Sequence, residues 1–204
     1  MNDVSIVDYG MCNLDSVARA VEECGGKARI TQNPKDLATA SHIILPGVGA
    51  FPDAMEMLRK TRMDFEIREQ VMGERIPFLG ICLGMQLMAT RGFEIRESPG
   101  LDLIPGEVHR LKPGEPAVRI PHIGWNEVRA VDQCPLFKGI PANSDFYFVH
   151  SYHFCCAADY ASARTPYASG FVSAVHRQNI FGTQFHPEKS QRLGFQLLGN
   201  FLAL

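Results

Sequence analysis

A cysteine set between two glycines carries the strongest chemical signal in the chain: Phe78-Leu79-Gly80-Ile81-Cys82-Leu83-Gly84-Met85-Gln86. The layout is that of a nucleophile elbow, in which a strand ends in a sharp bend, the reactive side chain stands on the bend, and a helix follows. Glycines at 80 and 84 suit a bend that brings neighbouring segments too close for a β-carbon. The helix start favours a thiolate, and the amide of Leu83 faces the place where an oxyanion would form. The alternative is a free cysteine packed in a core strand, the usual state of a lone cysteine. The two flanking glycines weigh against it.

A thiol nucleophile needs a base, and the base needs an orienting group. Gly182-Thr183-Gln184-Phe185-His186-Pro187-Glu188 offers both. The strand ending at Phe185 brings His186 to its tip, and Pro187 stops the ladder so that Glu188 can turn back. His122, His150 and His153 also fall near strand ends and are rivals, since a solitary histidine is more often structural. His150 and His153 are no metal pair, because strand positions three apart face opposite ways, and no metal site is expected. A third element is Pro46-Gly47-Val48-Gly49, a glycine-bearing loop after a strand. Its amides suit an anion. Without the lysine and spacing of a phosphate-binding loop, an oxyanion is preferred over a phosphate, and a plain tight turn is the other reading.

The elements that must position these groups follow from the hydrophobic pattern. Short β-branched runs at 4–7, 28–31, 42–45 and 78–81 alternate with amphipathic helices at 14–24 and 51–59, and a further helix begins at or just after Cys82. This is the pattern of a parallel sheet with crossover helices. After Gly100 the texture changes to strands punctuated by Gly and Pro at 107–111, 123–128, 146–152, 172–176 and 180–185, expected to be antiparallel and to extend the same sheet. A helix over 191–202 closes the chain. The fold class is therefore α/β, a central mixed and mostly parallel sheet flanked by helices, in one domain over residues 1–204.

Bulk properties remove several classes of function. The 204 residues carry 20 basic and 22 acidic side chains without a basic run, so neither nucleic acid nor an anionic membrane is an expected partner. Six cysteines, at 12, 24, 82, 134, 155 and 156, form no C-x-x-C pair. Free thiols point to a reducing compartment, and with no basic leader and no apolar run of about 20 residues the expected location is the cytoplasm.

In combination these motifs resemble the class I (triad) glutamine amidotransferases. Pro46-Gly47-Val48-Gly49-Ala50-Phe51, Pro121-His122-Ile123-Gly124-Trp125-Asn126, Tyr147-Phe148-Val149-His150-Ser151-Tyr152 and His186-Pro187-Glu188-Lys189-Ser190 narrow the resemblance to the glutaminase-subunit family of imidazole glycerol phosphate synthase. The resemblance implies Cys82 as nucleophile, His186 as general base and acid, and Glu188 as the group that fixes the imidazole tautomer. It implies an oxyanion hole from the amides of Val48 and Leu83, and a glutamine pocket of Gly49, Gln86, Ser151 and Tyr152. It also implies no cofactor, and a (β/α)8 cyclase partner as a heterodimer that faces Pro121, His122, Trp125 and Lys189 and receives ammonia. The stretch Arg91 to Gly100 is less acidic and serine-rich than that family suggests, which keeps open a paralogous glutaminase that feeds a partner amidating surface-polysaccharide sugars.

Overall fold

The computed structural model describes residues 2–114, 118–131 and 134–204. The chain order is β1 (Asp3–Val7), α1 (Leu14–Glu23), β2 (Lys27–Thr31), β3 (His42–Leu45), α2 (Phe51–Lys60), α3 (Met63–Arg68), β4 (Phe78–Ile81), α4 (Leu83–Leu87), β5 (Arg91–Gly92), β6 (Ser98–Pro99), β7 (Glu107–Arg110), β8 (His122–Ala130), β9 (Ser144–His150), β10 (Tyr152–Cys155), β11 (Ala161–Thr165), β12 (Phe171–Arg177), β13 (Ile180–Thr183) and α5 (Gln191–Leu202).

Among the described residues nine strands form one sheet in the order β2-β1-β3-β4-β13-β12-β11-β8-β9. The first five are mutually parallel and the rest antiparallel. Alternation along each parallel strand splits its side chains between two cores. Ile6, Ile44, Leu79 and Ile81 meet Val17 and Val21 of α1 and Leu197, Leu198 and Phe201 of α5 on one face. Val7, Ile43, Leu45 and Phe78 meet Phe51, Met55 and Leu58 of α2 and Ile67 of α3 on the other. Both faces are covered, as a parallel sheet requires, and each fully buried large side chain contributes roughly 1.5–3 kcal/mol. Helix α2 carries Pro52 and Asp53 in its first turn and Arg59 and Lys60 in its last, which suits both its capping and its dipole.

Three sequence expectations are corrected. The strand at 107–111 does not extend the main sheet: β7 lies in a separate four-stranded sheet, β10-β7-β5-β6, which the short segments β5 and β6 complete. The run 146–152 is two strands, because the chain bends at Ser151 and crosses from β9 in the large sheet to β10 in the small one. β13 is antiparallel only to β12; on its other edge it runs parallel to β4, with Gly182 opposite Gly80. That pairing brings the His186 segment alongside the Cys82 segment. Among the described residues no helix is long and apolar enough to cross a membrane.

Candidate active site

The site is built at the carboxyl ends of the central parallel strands, where connections diverge and a crevice opens. β4 ends at Ile81, and Cys82 takes a left-handed backbone conformation, φ 55° and ψ −107°, before α4 begins. Such a conformation is costly for a non-glycine residue and persists only where surroundings enforce it. Here the Cys82 amide donates to Thr183 C=O at 2.7 Å, and two glycines allow the close approach. A β-carbon on Gly84 would lie 1.7 Å from the Leu45 carbonyl oxygen, and one on Gly80 would lie 2.6 Å from the Gly84 carbonyl oxygen. The glycine pair is therefore a steric condition of the bend. Helix α4 is only five residues long, so the support it offers a thiolate is that of its first amides and not of a long dipole.

His186 follows the end of β13, and its backbone is held on both sides. Its N–H donates to Tyr147 C=O of β9 at 2.9 Å, and its carbonyl accepts from Ser190 Oγ at 2.6 Å. Pro187 opens a single turn of 3-10 helix, Pro187–Lys189, which folds Glu188 back under the ring. His186 Nδ1–H donates to Glu188 Oε1 at 2.7 Å, with both side chains buried. That bond leaves Nε2 as the free ring atom, and Nε2 is buried without a hydrogen-bond partner. Burial by itself lowers the pKa of His186, but Cys82 and then Glu188 lie against the ring and more than reverse it, so the net shift is upward. The thiol thus lies beside the imidazole, although no hydrogen bond of normal geometry joins them.

A cavity of about 260 Å³ opens in front of the sulfur, lined by Val48, Gly49, Cys82, Leu83, Gln86, Glu94, Val149, His150, Ser151 and Tyr152. All four expected pocket residues, Gly49, Gln86, Ser151 and Tyr152, line it. Gln86 is buried, and its side-chain amide donates to Tyr152 C=O at 2.9 Å and to Gln184 Oε1 at 3.0 Å. Gln184 in turn points its Nε2 at Cys82 Sγ, 3.7 Å away, and Sγ lies 3.8 Å from the Val149 carbonyl.

The two expected oxyanion amides differ. Leu83 N–H stands at the start of α4, where helical partners are lacking. Val48 does not meet the expectation in this form: its N–H donates to Met11 C=O at 2.8 Å and is already engaged. Of the residues expected to face a partner, Trp125 is 48% exposed, Pro121 is exposed and Lys189 is half-buried. His122 is corrected. It is only 2% exposed, because β8 turns it inward while Ile123 and Trp125 are exposed.

Two site residues were not singled out from the sequence. Gln184 left a signal, a polar side chain within the apolar run of β13 and its extension. Glu94 left none beyond its odd surroundings. Its Oε2 accepts from Phe51 N–H at 2.8 Å, and burial raises its pKa while that bond opposes the rise.

Comparison with known proteins identifies the family. Residues 5–203 match the family described as glutamine amidotransferase class-I. The chain is 46% identical over 201 residues, 98% of its length and all of the relative's, to imidazole glycerol phosphate synthase subunit HisH 1 of Campylobacter jejuni. It is 45% identical to subunit HisH of Moorella thermoacetica, covering 98% of this chain and 94% of that one. Among solved structures, PurLQS from Thermotoga maritima aligns with TM-score 0.78 at 18% identity, over 100% of this chain and 99% of that one. A glutamine amidotransferase from the same organism aligns with TM-score 0.69 at 21% identity, over 94% of this chain and 78% of that one. The chain belongs to the class-I glutamine amidotransferases and is an enzyme of that class. Within the class it belongs with the HisH subunits.

Proposed function

We infer that this chain is the glutaminase subunit of imidazole glycerol phosphate synthase in histidine biosynthesis, cutting ammonia from glutamine at Cys82 and passing it to a HisF-type (β/α)8 cyclase in a heterodimer. Similarity to HisH subunits over nearly the whole chain supports the assignment. The observation that carries the mechanism is the strained bend at Cys82 facing a ring whose far nitrogen is held by a buried carboxylate.

His186 Nε2 takes the thiol proton, and the sulfur attacks the side-chain amide carbon of glutamine. Leu83 N–H stabilises the tetrahedral oxyanion, His186 returns the proton to the departing nitrogen, and ammonia leaves a γ-glutamyl thioester. Water, deprotonated by His186, then releases glutamate. Glu188 holds Nδ1–H throughout and stabilises the imidazolium. Glu94, at the cavity wall, offers a carboxylate to the ammonium of the substrate. Trp125 on β8 and Pro121 just before it are exposed and suit a docking face, and Lys189 is half-buried. Free thiols and the absence of a long apolar helix among the described residues fit work in the cytoplasm.

The engaged amide of Val48 has a consequence for rate. One oxyanion donor is typically worth about 10²–10³ in turnover. A chain with that donor turned away is slow until docking frees it. The test is glutamate release measured for the chain alone, with a HisF-type cyclase, and with the cyclase plus its acceptor ligand. Low activity alone, a large rise in the complex and loss of both in Cys82→Ala are expected. Full activity without the cyclase, or stimulation only by a sugar-amidating synthase, contradicts the assignment.

A further inference from the structure

Running into the wall of the glutamine pocket, which His150 lines, β8 and β9 place a row of polar side chains that the catalytic cycle does not use. His122 is paired across the sheet with His150, and both are buried. His122 stacks on Tyr167 with ring centroids 3.9 Å apart, and Phe148 and Phe171 close around the pair. Two imidazoles in such a wall are costly to desolvate, and apolar rings of similar size would fill the same space without that cost.

Their hydrogen bonds admit one assignment of protons. The Tyr152 carbonyl only accepts, so His150 Nδ1 carries a proton and donates to it at 2.8 Å. Neutral His150 then accepts at Nε2 from His122 Nδ1–H at 3.0 Å. His122 accepts at Nε2 from the Asn126 side-chain amide at 3.3 Å, and Asn126 Oδ1 accepts from Glu127 N–H at 2.9 Å, which fixes the amide's orientation. Burial lowers the pKa of His122 to about 4 and of His150 to about 3, so both rings are neutral at pH 7, as this row requires.

We propose that Asn126, His122 and His150 form a one-directional row of donors that positions the glutamine pocket, fixing the Tyr152 carbonyl from behind while Gln86 Nε2 holds it from the front at 2.9 Å. Ser151 and Tyr152 sit where the chain crosses from the large sheet to the small one; Tyr152 pairs with Arg110 of β7 and the Ser151 carbonyl accepts from Leu111 N–H at 2.9 Å, and the clamped Tyr152 carbonyl adds a side-chain tie to those backbone ones. All three are positioning residues acting through Tyr152. The proposal rests on the reading of the cavity as a glutamine pocket.

The test is steady-state glutamate release by the assembled enzyme, with KM for glutamine and kcat measured separately for wild type, His150→Phe, His150→Asn, His122→Phe and His122→Asn, and thermal unfolding of each. The Phe variants keep the packing and lose the donor. Each is expected to raise KM roughly tenfold, as loss of one buried hydrogen bond gives, with a smaller change in kcat. The Asn variants, whose side-chain amide donates from the position of Nδ1, are expected to recover most of the loss. Phe variants with wild-type KM, or losses that follow the unfolding temperature with no recovery in Asn, overturn the proposal. If His150→Phe does not fold, Asn126→Leu carries the test: a rise in KM of about threefold is expected, and no change overturns it. Wild type that releases no glutamate, or Cys82→Ala that still does, removes the glutamine-pocket reading itself and is thereby distinguishable.

Discussion

The two loops that meet at the sulfur are finished to different degrees. On the β4 side the bend is fully assembled: Gly80 and Gly84 admit the close approach, Thr183 C=O pins the Cys82 amide, and the His186–Glu188 pair is in place. On the β3 side, Val48 and Gly49 of Pro46-Gly47-Val48-Gly49 line the cavity, but the Val48 amide is turned to another partner. Val48 N–H is bonded to Met11 C=O, Cys12 Sγ lies 3.4 Å from the Pro46 carbonyl, and Gly49 sits at φ 109°. On the mechanism proposed above, the nucleophile is thus held ready while one of the two oxyanion donors is engaged by residues of an irregular segment, 8–13, after β1. Bond making and bond stabilisation are placed on separately held elements. On that proposal, a partner would need to move only the second to switch the enzyme.

Variants break this contrast from the built side first. Cys82→Ala is expected to reduce glutamate release by at least about 10⁴-fold with or without a partner, since the remaining groups act through the thiol. Gly84→Ala forces a β-carbon into the Leu45 carbonyl and is expected to abolish activity by preventing the bend, with a loss of roughly 3 kcal/mol or more in unfolding by denaturant. Glu188→Gln is expected to lower kcat about 10²–10⁴-fold while KM changes little. On the closed side effects are smaller. Gly49→Ala imposes strain at a positive φ of roughly 1–2 kcal/mol, and its β-carbon would lie 2.4 Å from the movable Met11 Cε. A fall of about tenfold or less in stimulated activity, with the basal rate falling less, is expected in the same assay.

Glu188→Gln also separates the two regions by pH. Burial lowers the His186 pKa, but Cys82 and Glu188 raise it above its unfolded value near 6.5. The protonated ring therefore stabilises the fold most below about pH 6.5, and this contribution is lost as pH rises through the raised folded pKa. The destabilisation by Glu188→Gln is expected to be largest near pH 6 and to shrink in alkali. A gap that widens with pH contradicts the coupling of His186 to Glu188.

The built side was legible in the sequence; on the closed side the glycine-bearing loop was legible and its engagement by Met11 was not. Glycines two residues either side of a cysteine report a local steric requirement, and His186-Pro187-Glu188 is one turn of chain, so both survive as short patterns. The helix and strand periods of the first half follow from a sheet buried on both faces. Non-local facts were hidden. That β7 leaves the main sheet depends on the two-residue strands β5 and β6, too short to show a period. Helix α3 is six residues long and begins after Arg62 at φ 60°, without the usual capping residue. The engagement of Val48 N–H by Met11 is a backbone contact across 37 positions and leaves no mark on side-chain type. The inward turn of His122 required the register of β8 on β9.

Cys82 as the nucleophile, armed by His186 and facing a glutamine pocket, is open to a chemical test. An electrophilic chloroketone analogue of glutamine, reacted with the chain and located by mass spectrometry of its peptides, tests it directly. One adduct is expected, on Cys82, blocked by excess glutamine and formed far more slowly in His186→Ala. Labelling spread over Cys12, Cys155 and Cys156 at comparable rates, or labelling of Cys82 indifferent to glutamine and to His186, would contradict it.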